Sequence, residues 1–296
     1  MIVLAGAVAL LVAAPAPAKT VTVDISKLGF VPGAVSVQTG DSVTWTNKDT
    51  VNHQVVCKAC PFTSLVLSPG QTHTFTFSKT GKFTTVDPLN NNRKGTVTVT
   101  AAPATLTLSA HPTVANYGST AAVAGVLSTA AAGQKVDILA QPCGENAAKV
   151  IATAMTTTGG NFAYQAQPTL GTSYQARYKG TTATVTSSAA AVSVRPVVVL
   201  KRNGVHRFTA QVIAAQSFVG KAVLFQRWVK VRHRWSTVKT VFLGKRVAAS
   251  EPLAASTASS VTFGALLRRG LSVRAVLPAG QAAPCYASQK SPTIRS

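Results

Sequence analysis

Short runs in which apolar and polar residues alternate recur along the chain, separated by Gly, Pro, Asn or Thr. In the stretch Phe30 to Val99 the apolar positions include Val35, Val37, Val43, Trp45, Val55, Phe75, Phe77, Phe83, Val97 and Val99. Gly40–Asp41, Pro69–Gly70 and Thr80–Gly81 interrupt the runs. A period of two is the pattern of strands with one buried face. This stretch is therefore predicted to form short β-strands joined by tight turns.

Composition points to the same fold class for the whole chain. Thr, Ser, Ala, Val and Gly dominate its 296 residues, of which 46% are hydrophobic and 12% are charged. This composition is typical of all-β proteins outside the cytoplasm. A chain of this length has room for two or three domains.

The stretch from Phe30 to Val99 resembles the cupredoxins, small Greek-key β-sandwiches that carry blue copper in electron-transfer proteins. The resemblance lies in the motifs F-x-P, G-D-x-V-x-W-x-N-x-D, a histidine, F-x-S, P-G and two paired glycines. The residues are Phe30, Pro32, Gly40, Asp41, Val43, Trp45, Asn47, Asp49, His53, Phe62, Ser64, Pro69, Gly70, Gly81 and Gly95. The resemblance covers about a quarter of the chain and implies a cupredoxin-like fold there.

The copper ligands of that family are mostly missing. The family places a Cys-x-x-His-x-x-Met motif between the two glycines, and an alignment without gaps puts Asp87, Asn90 and Arg93 at those positions. Only His53 then remains of the ligand set. A type 1 centre needs a thiolate, two imidazoles and a weak thioether, and the cation of Arg93 would oppose a metal ion. We predict no type 1 copper; a weak metal site of His53 and Asp87, and a hydrogen-bonded His53 without metal, both remain open.

Two cysteines follow the histidine closely. If residues 53–57 form one strand, Cys57 lies roughly 13 Å from His53 at the usual rise per residue, so one ion cannot easily bind both. A redox role would need the first thiol at a helix N-terminus, which this stretch does not predict. The pattern favours a Cys57–Cys60 disulfide, while a metal or redox role stays the alternative.

The chain is predicted to begin with an export signal at residues 1–18. An apolar run ends in small residues that fit a cleavage site, with Ala16 and Ala18 at the recognition positions. The run is short for a membrane span and no second span follows, so a cleaved signal is favoured over an anchor. We expect a secreted or extracytoplasmic protein, on the cell surface or in the periplasm. The sequence leaves open whether Cys143 and Cys285 pair.

Four segments follow the signal in the predicted architecture. They are a cupredoxin-like domain at 19–100, a linker at 101–105, an immunoglobulin-like β-sandwich at 106–195 and a second, basic one at 196–296. The motifs G-x-x-V, T-T-x-G-x-F and T-x-Y-x-A-R resemble immunoglobulin-like repeats of bacterial surface proteins. Gly133, Val136, Thr157, Phe162, Thr172, Tyr174, Ala176 and Arg177 carry them. Gly220, Val223 and Phe225 match Gly133, Val136 and Ile138 at a constant offset, which predicts a tandem repeat.

Positive charge is concentrated in the last segment. Residues 195–296 hold 17 of the 29 Lys and Arg residues and one acid, Glu251. The densest part predicts a hairpin turning near Arg232, whose wet face would carry Trp228, Lys230 and Arg234. This group, with Arg232, is the candidate site for polyanions such as anionic cell-envelope polymers or polysaccharide. The alternative is a solvated strand face that keeps the protein soluble.

Two function classes follow from these patterns. The sequence contains no zinc-finger, basic-zipper, RNP or helix-turn-helix pattern, so we expect no sequence-specific nucleic-acid binding. Its acids and histidines are scattered and match no catalytic motif, so we expect no enzyme. The first hypothesis is a non-catalytic binding or scaffold protein without a cofactor. The second is a copper-binding protein related to electron-transfer cupredoxins, using His53.

Overall fold

The computed structural model describes residues 18–60, 62–91, 93–180, 183–247 and 256–296. The predicted export signal at 1–18 lies outside this part except for its last residue. Strands dominate; the described helical elements are a 3₁₀ turn at Lys230–Arg232 and an α-helix, α1, at Ala279–Ala282. The all-β prediction is confirmed. No described helix is long and apolar enough to cross a membrane.

The chain divides into two compact units, and the division after Pro103 falls inside the predicted linker. The described residues of the first unit form nine strands in two sheets, ordered β2-β1-β4-β7 and β3-β9-β8-β5-β6. The strands are β1 (Thr20–Ser26), β2 (Gly29–Val31), β3 (Ala34–Gln38), β4 (Ser42–Asn47), β5 (Val56–Cys57), β6 (Phe62–Thr63), β7 (Thr72–Thr76), β8 (Gly81–Asp87) and β9 (Arg93–Thr100).

Alternation along these strands buries one face of each sheet. In β4, Val43, Trp45 and Asn47 are buried while the residues between them are partly exposed. Trp45 from one sheet and Val97 from the other belong to a single core cluster. The first unit is thus a β-sandwich with its core between the two sheets.

The second unit, residues 104–296, contains two further sandwiches. The first of them has sheets β10-β12-β15 and β11-β18-β16-β13-β14, with β17 beside β16. Its strands are β10 (Ser109–His111), β11 (Val114–Asn116), β12 (Ala121–Val126), β13 (Lys135–Pro142), β14 (Lys149–Met155), β15 (Asn161–Ala166), β16 (Thr172–Lys179), β17 (Thr184–Thr186) and β18 (Ala190–Arg195). We call it the middle module.

The last sandwich, the basic module, has sheets β19-β20-β24-β23 and β22-β21-β25-β26, with β27 beside β25. Its strands are β19 (Val197–Gly204), β20 (Arg207–Ala214), β21 (Ala222–Val229), β22 (Arg234–Phe242), β23 (Lys245–Val247), β24 (Thr257–Gly264), β25 (Ser272–Leu277), β26 (Gln289–Lys290) and β27 (Ile294–Arg295). Phe208, Phe225 and Phe263 meet in its core.

The two modules share local construction. Strand β13 lies between β14 and β16, and β21 lies between β22 and β25. In the middle module the amide of Ala176 donates to Ser187 Oγ at 2.9 Å. In the basic module the amide of Ala275 donates to Ser291 Oγ at 3.0 Å. These parallels agree with the predicted repeat, while the relation to immunoglobulin-like proteins stays a prediction.

A disulfide ties the middle and basic modules together. Cys143 in the middle module is bonded to Cys285 in the basic module, 142 residues later. Tyr117 and Val194 of the middle module belong to the core cluster of the basic module. The predicted boundary at residue 195 therefore separates two cores that share packed contacts and a covalent link.

Candidate functional site

His53 is held at one end of the first sandwich by the loop that follows β4. Its amide donates to the carbonyl of Leu67 at 3.1 Å, and the amide of Leu67 donates back at 2.8 Å. The buried Asn47 supports the loop, because its Nδ2 donates to the carbonyls of Val51 at 2.8 Å and Leu67 at 2.7 Å. Strand β8 ends at Asp87 beside the imidazole. The sequence thus folds so that a loop histidine meets a strand-end aspartate.

Both ring nitrogens of His53 face carboxylates. Nδ1 lies 2.5 Å from Oδ2 of Asp87, and Nε2 lies 3.2 Å from Oδ2 of Asp49. The side chains of His53, Asp87 and Asp49 are 1%, 0% and 13% exposed. Both contacts lie within hydrogen-bond distance of a carboxylate oxygen, which is a strong acceptor. We call Asp49, His53 and Asp87 the carboxylate–histidine network.

Each carboxylate has further donors. Oδ1 of Asp87 accepts the amides of Gln54 and Leu89, each at 3.2 Å. The amide of Thr50 donates to Asp49, and with His53 it holds the pKa of Asp49 below its usual range. A buried carboxylate with three hydrogen-bond donors is well compensated for lost hydration. The network is therefore a fully bonded structural element.

The other two positions aligned with copper ligands do not reach the network. Asn90 lies in the turn after Asp87, where its Nδ2 donates to the carbonyls of Ser26 and Lys27 at 3.5 and 3.4 Å. Arg93 is exposed at the start of β9 and pairs with Asp87 in the strand register. Of the three substituted positions, only Asp87 contacts the imidazole.

Comparison with known proteins identifies the first sandwich. A family model described as a cupredoxin-like domain matches residues 1–99. The chain carries a cupredoxin-like domain. Similar solved structures include a purple cupredoxin from Nitrosopumilus maritimus, at 23% identity over 27% of this chain and 99% of that protein, with a TM-score of 0.26.

Two further similar structures complete the comparison. One is the copper-containing nitrite reductase from Thermus scotoductus SA-01, at 25% identity over 34% of this chain and 26% of that protein, with a TM-score of 0.26. The other is a reduced amicyanin variant, at 23% identity over 27% of this chain and 81% of that protein, with a TM-score of 0.25.

The cupredoxin-like domain does not offer the donors of a type 1 copper site. Cys57 and Cys60 form a disulfide, and both are buried in the core, so neither supplies a thiolate. The imidazole of His53 has a carboxylate on each nitrogen. Among the described residues, no three His, Cys, Asp or Glu side chains are grouped to hold a metal ion. The donor set present therefore does not fit blue copper.

In the basic module, the side chains of the predicted polyanion site are arranged differently from the prediction. Lys230–Arg232 form the 3₁₀ turn between β21 and β22, so the hairpin turns there. Trp228 pairs with Trp235, and Val229 pairs with Arg234. Because neighbouring residues of a strand point to opposite faces, Arg234 does not share the face of Trp228, contrary to the prediction. The predicted cations are exposed at the hairpin tip.

A different cation lies on the tryptophan face. The rings of Trp228 and Trp235 meet edge to face, with centroids 5.6 Å apart. The guanidinium carbon of Arg274 lies 4.1 Å from the centroid of Trp235, and Arg274 Nε donates to Gln226 Oε1 at 3.0 Å. A cation over an indole face is a favourable cation–π arrangement. Partial burial lowers the pKa of Arg274 from its ordinary value.

Three contributors to these sites were not predicted. Asp49 stands in the family motif, four residues before His53, but nothing in strand periodicity shows that the loop folds it back onto Nε2. Trp235 was missed because the turn position decides which residues of β22 share a face with β21. Arg274 was missed because its position depends on the pairing of β21 with the distant strand β25. His233, with φ of 45° after the 3₁₀ turn, marks that position, but nothing in the residue itself signals it.

Proposed function

We propose that this is a secreted, non-catalytic binding protein whose basic module contacts anionic envelope polymers. In this account the cupredoxin-like domain is a scaffold whose ligand end is closed by the carboxylate–histidine network. The observation that carries the proposal is the charge of the basic module: residues 195–296 hold 17 Lys or Arg residues against one acid, Glu251. A surface with one sign of charge concentrates oppositely charged polymers around it.

The hairpin tip and the tryptophan face are the contact surface in this proposal. Lys230, Arg232 and Arg234 are exposed, and no ion pair between described residues occupies them. The paired rings of Trp228 and Trp235, with Arg274, add a surface suited to flat or ring-shaped groups of a polymer. Flexible lysine and arginine side chains bind charge without requiring one fixed geometry. The recognised feature is therefore anionic charge along a chain.

Cysteine pairing supports the export part of the proposal. All four cysteines of the chain are in the disulfides Cys57–Cys60 and Cys143–Cys285. Structural disulfides form and persist in oxidising compartments outside the cytoplasm. A protein that meets envelope polymers needs that location.

Binding to dextran sulfate beads tests the proposal. A Lys230→Glu/Arg232→Glu variant is expected to bind roughly tenfold or more weakly, since each reversed contact removes about 1 kcal/mol in water. Lys135→Glu/Lys179→Glu is the matched control, because these exposed lysines lie on the middle module. Added salt should release the wild type. Binding that persists unchanged in high salt, or that both variants lose equally, would refute an electrostatic contact at the hairpin.

A copper-binding role is the second candidate, and one observation favours it. His53 and Asp87, which the sequence suggested as a weak metal pair, are in direct contact. A metal ion on Nδ1 would have to displace the Asp87 hydrogen bond or share that carboxylate. Thermal unfolding with and without Cu(II), for the wild type and His53→Ala, tests this role. Stabilisation by Cu(II) that disappears in His53→Ala would support it; equal responses of both proteins would reject it.

A further inference from the structure

The exposed large aliphatic side chains of the cupredoxin-like domain are gathered on a few loops. Leu28, Val51, Leu65, Val66 and Leu89 are 80%, 58%, 85%, 47% and 54% exposed. We call these five residues the apolar end. Among the described residues of this domain, Val31 in the adjoining strand β2 is the one other large aliphatic residue that is similarly exposed. Single exposed aliphatic residues are ordinary on protein surfaces, whereas clustered ones mark contact surfaces.

Hydrogen bonds show that these loops lie together. Asn90 links the turn that carries Leu89 to the carbonyls of Ser26 and Lys27, beside Leu28. Asn47 links the loop of Val51 to the carbonyl of Leu67, next to Val66. The apolar end is therefore one surface built from four loops.

The carboxylate–histidine network holds this surface in place. Asp87 accepts the amide of Leu89 at 3.2 Å and bonds to His53, whose backbone pairs with Leu67. These bonds connect the loop of Leu89 to the loops of Val51 and Val66. Fixed loops reduce the conformational entropy that a docking surface would lose on binding.

The exposed charges beside the apolar end are mainly positive, although Asp24 on β1, which pairs with Val31, is an exposed acid. Lys27, Lys48 and Arg93 are exposed on the same loops or at their strand ends. No ion pair between described residues uses these three cations. The carboxylates there, Asp49 and Asp87, are directed to His53. A partner of this surface must accept aliphatic side chains and supply negative charge around them.

We propose that the apolar end docks onto the surface of an anionic lipid bilayer. Aliphatic side chains at loop tips enter the boundary between headgroups and acyl chains, while nearby lysine and arginine attract anionic headgroups. The observation that selects an anionic surface is the set of exposed cations, unpaired among the described residues, beside the exposed aliphatic side chains: Lys27, Lys48 and Arg93. The proposal concerns a different domain and different residues from the polyanion contact.

Vesicle sedimentation of the full chain tests the proposal. The probe is phosphatidylcholine vesicles with or without phosphatidylglycerol, and all variants carry Lys230→Glu/Arg232→Glu so that the hairpin contact is removed. Leu65→Ser/Leu89→Ser is expected to partition roughly tenfold more weakly into the anionic vesicles. Leu266→Ser is the matched control, because Leu266 is 88% exposed in the other unit and should change nothing.

A second measurement locates the contact. Tryptophan placed by Leu65→Trp should be quenched by brominated lipids, and tryptophan placed by Leu266→Trp should not. Equal partitioning of Leu65→Ser/Leu89→Ser and its parent, or equal quenching at the two positions, would overturn the proposal. Concentration-dependent dimerisation that the double serine variant abolishes would also overturn it, and would assign the surface to self-association. Loss of dextran sulfate binding alone would concern only the hairpin.

Discussion

Replacing Asp87 with alanine removes the centre of the carboxylate–histidine network. The carboxylate is fully buried, and three donors would lose their acceptor: His53 Nδ1 and the amides of Gln54 and Leu89. Breaking a buried charged pair by removing one partner costs about 3–5 kcal/mol. We expect the lower end, about 3 kcal/mol, because His53 keeps its hydrogen bond to Asp49.

Hydrogen exchange followed by mass spectrometry measures this loss within the full chain. Strand β4 lies between β1 and β7, so its amides are expected to exchange mainly by unfolding of the domain and to exchange roughly a hundredfold faster in Asp87→Ala. Asp41→Ala is the control: Asp41 also accepts two backbone amides, from Lys19 and Gln38 at 2.8 Å each, but it is partly exposed. Its removal should have a much smaller effect. If both variants accelerate exchange equally, the network is not the structural tie we describe.

Three further predictions concern other parts of the molecule. Burial lowers the pKa of His73 below 6.5 in the folded state, so its contribution to stability is present above pH 6.5 and is lost as the pH falls from 6.5 through the lowered folded-state pKa. His73→Phe should flatten the acid side of the plot of unfolding free energy against pH, and an unchanged plot would contradict this. Cys143→Ser/Cys285→Ser removes the disulfide between the modules and should lower the free energy of unfolding of the second unit by about 4–5 kcal/mol. Denaturant titration measures this loss, and an unchanged unfolding midpoint would contradict it. Gly125→Ala should lower the free energy of unfolding by about 1–3 kcal/mol, because the new Cβ would overlap the backbone carbonyl of Thr107. Gly244→Ala is the control, because a Cβ at Gly244 meets open space. Equal effects of the two substitutions would refute the packing argument.

Strand periodicity was sufficient to predict the fold class. Val43 and Trp45 alternate with polar residues, and the structure buries them in one core. The resemblance to cupredoxins, aligned without gaps between Gly81 and Gly95, placed Asp87 at a ligand position beside that of His53, and the two side chains are in contact. Local spacing works here because β8 and β9 form one antiparallel pair, in which residue separation determines position.

Long-range contacts could not be predicted in the same way. Cys143 and Cys285 are separated by 142 residues, and their pairing depends on how two modules pack. The face of the sheet on which Trp235 lies depends on the turn at Lys230–Arg232. A turn one residue earlier or later would move every side chain of β22 to the other face of the sheet. Tyr117 joins the core of the neighbouring module, which no pattern within its own module indicates.

Visible absorption spectroscopy with added Cu(II) tests whether the donor set around His53 can form a type 1 copper site. The account predicts no intense thiolate-to-copper band, because both cysteines of the cupredoxin-like domain are in a disulfide and His53 is held by two carboxylates. The spectra of the wild type and His53→Ala should therefore be the same. An intense visible band at one copper per chain, lost in His53→Ala, would contradict the account.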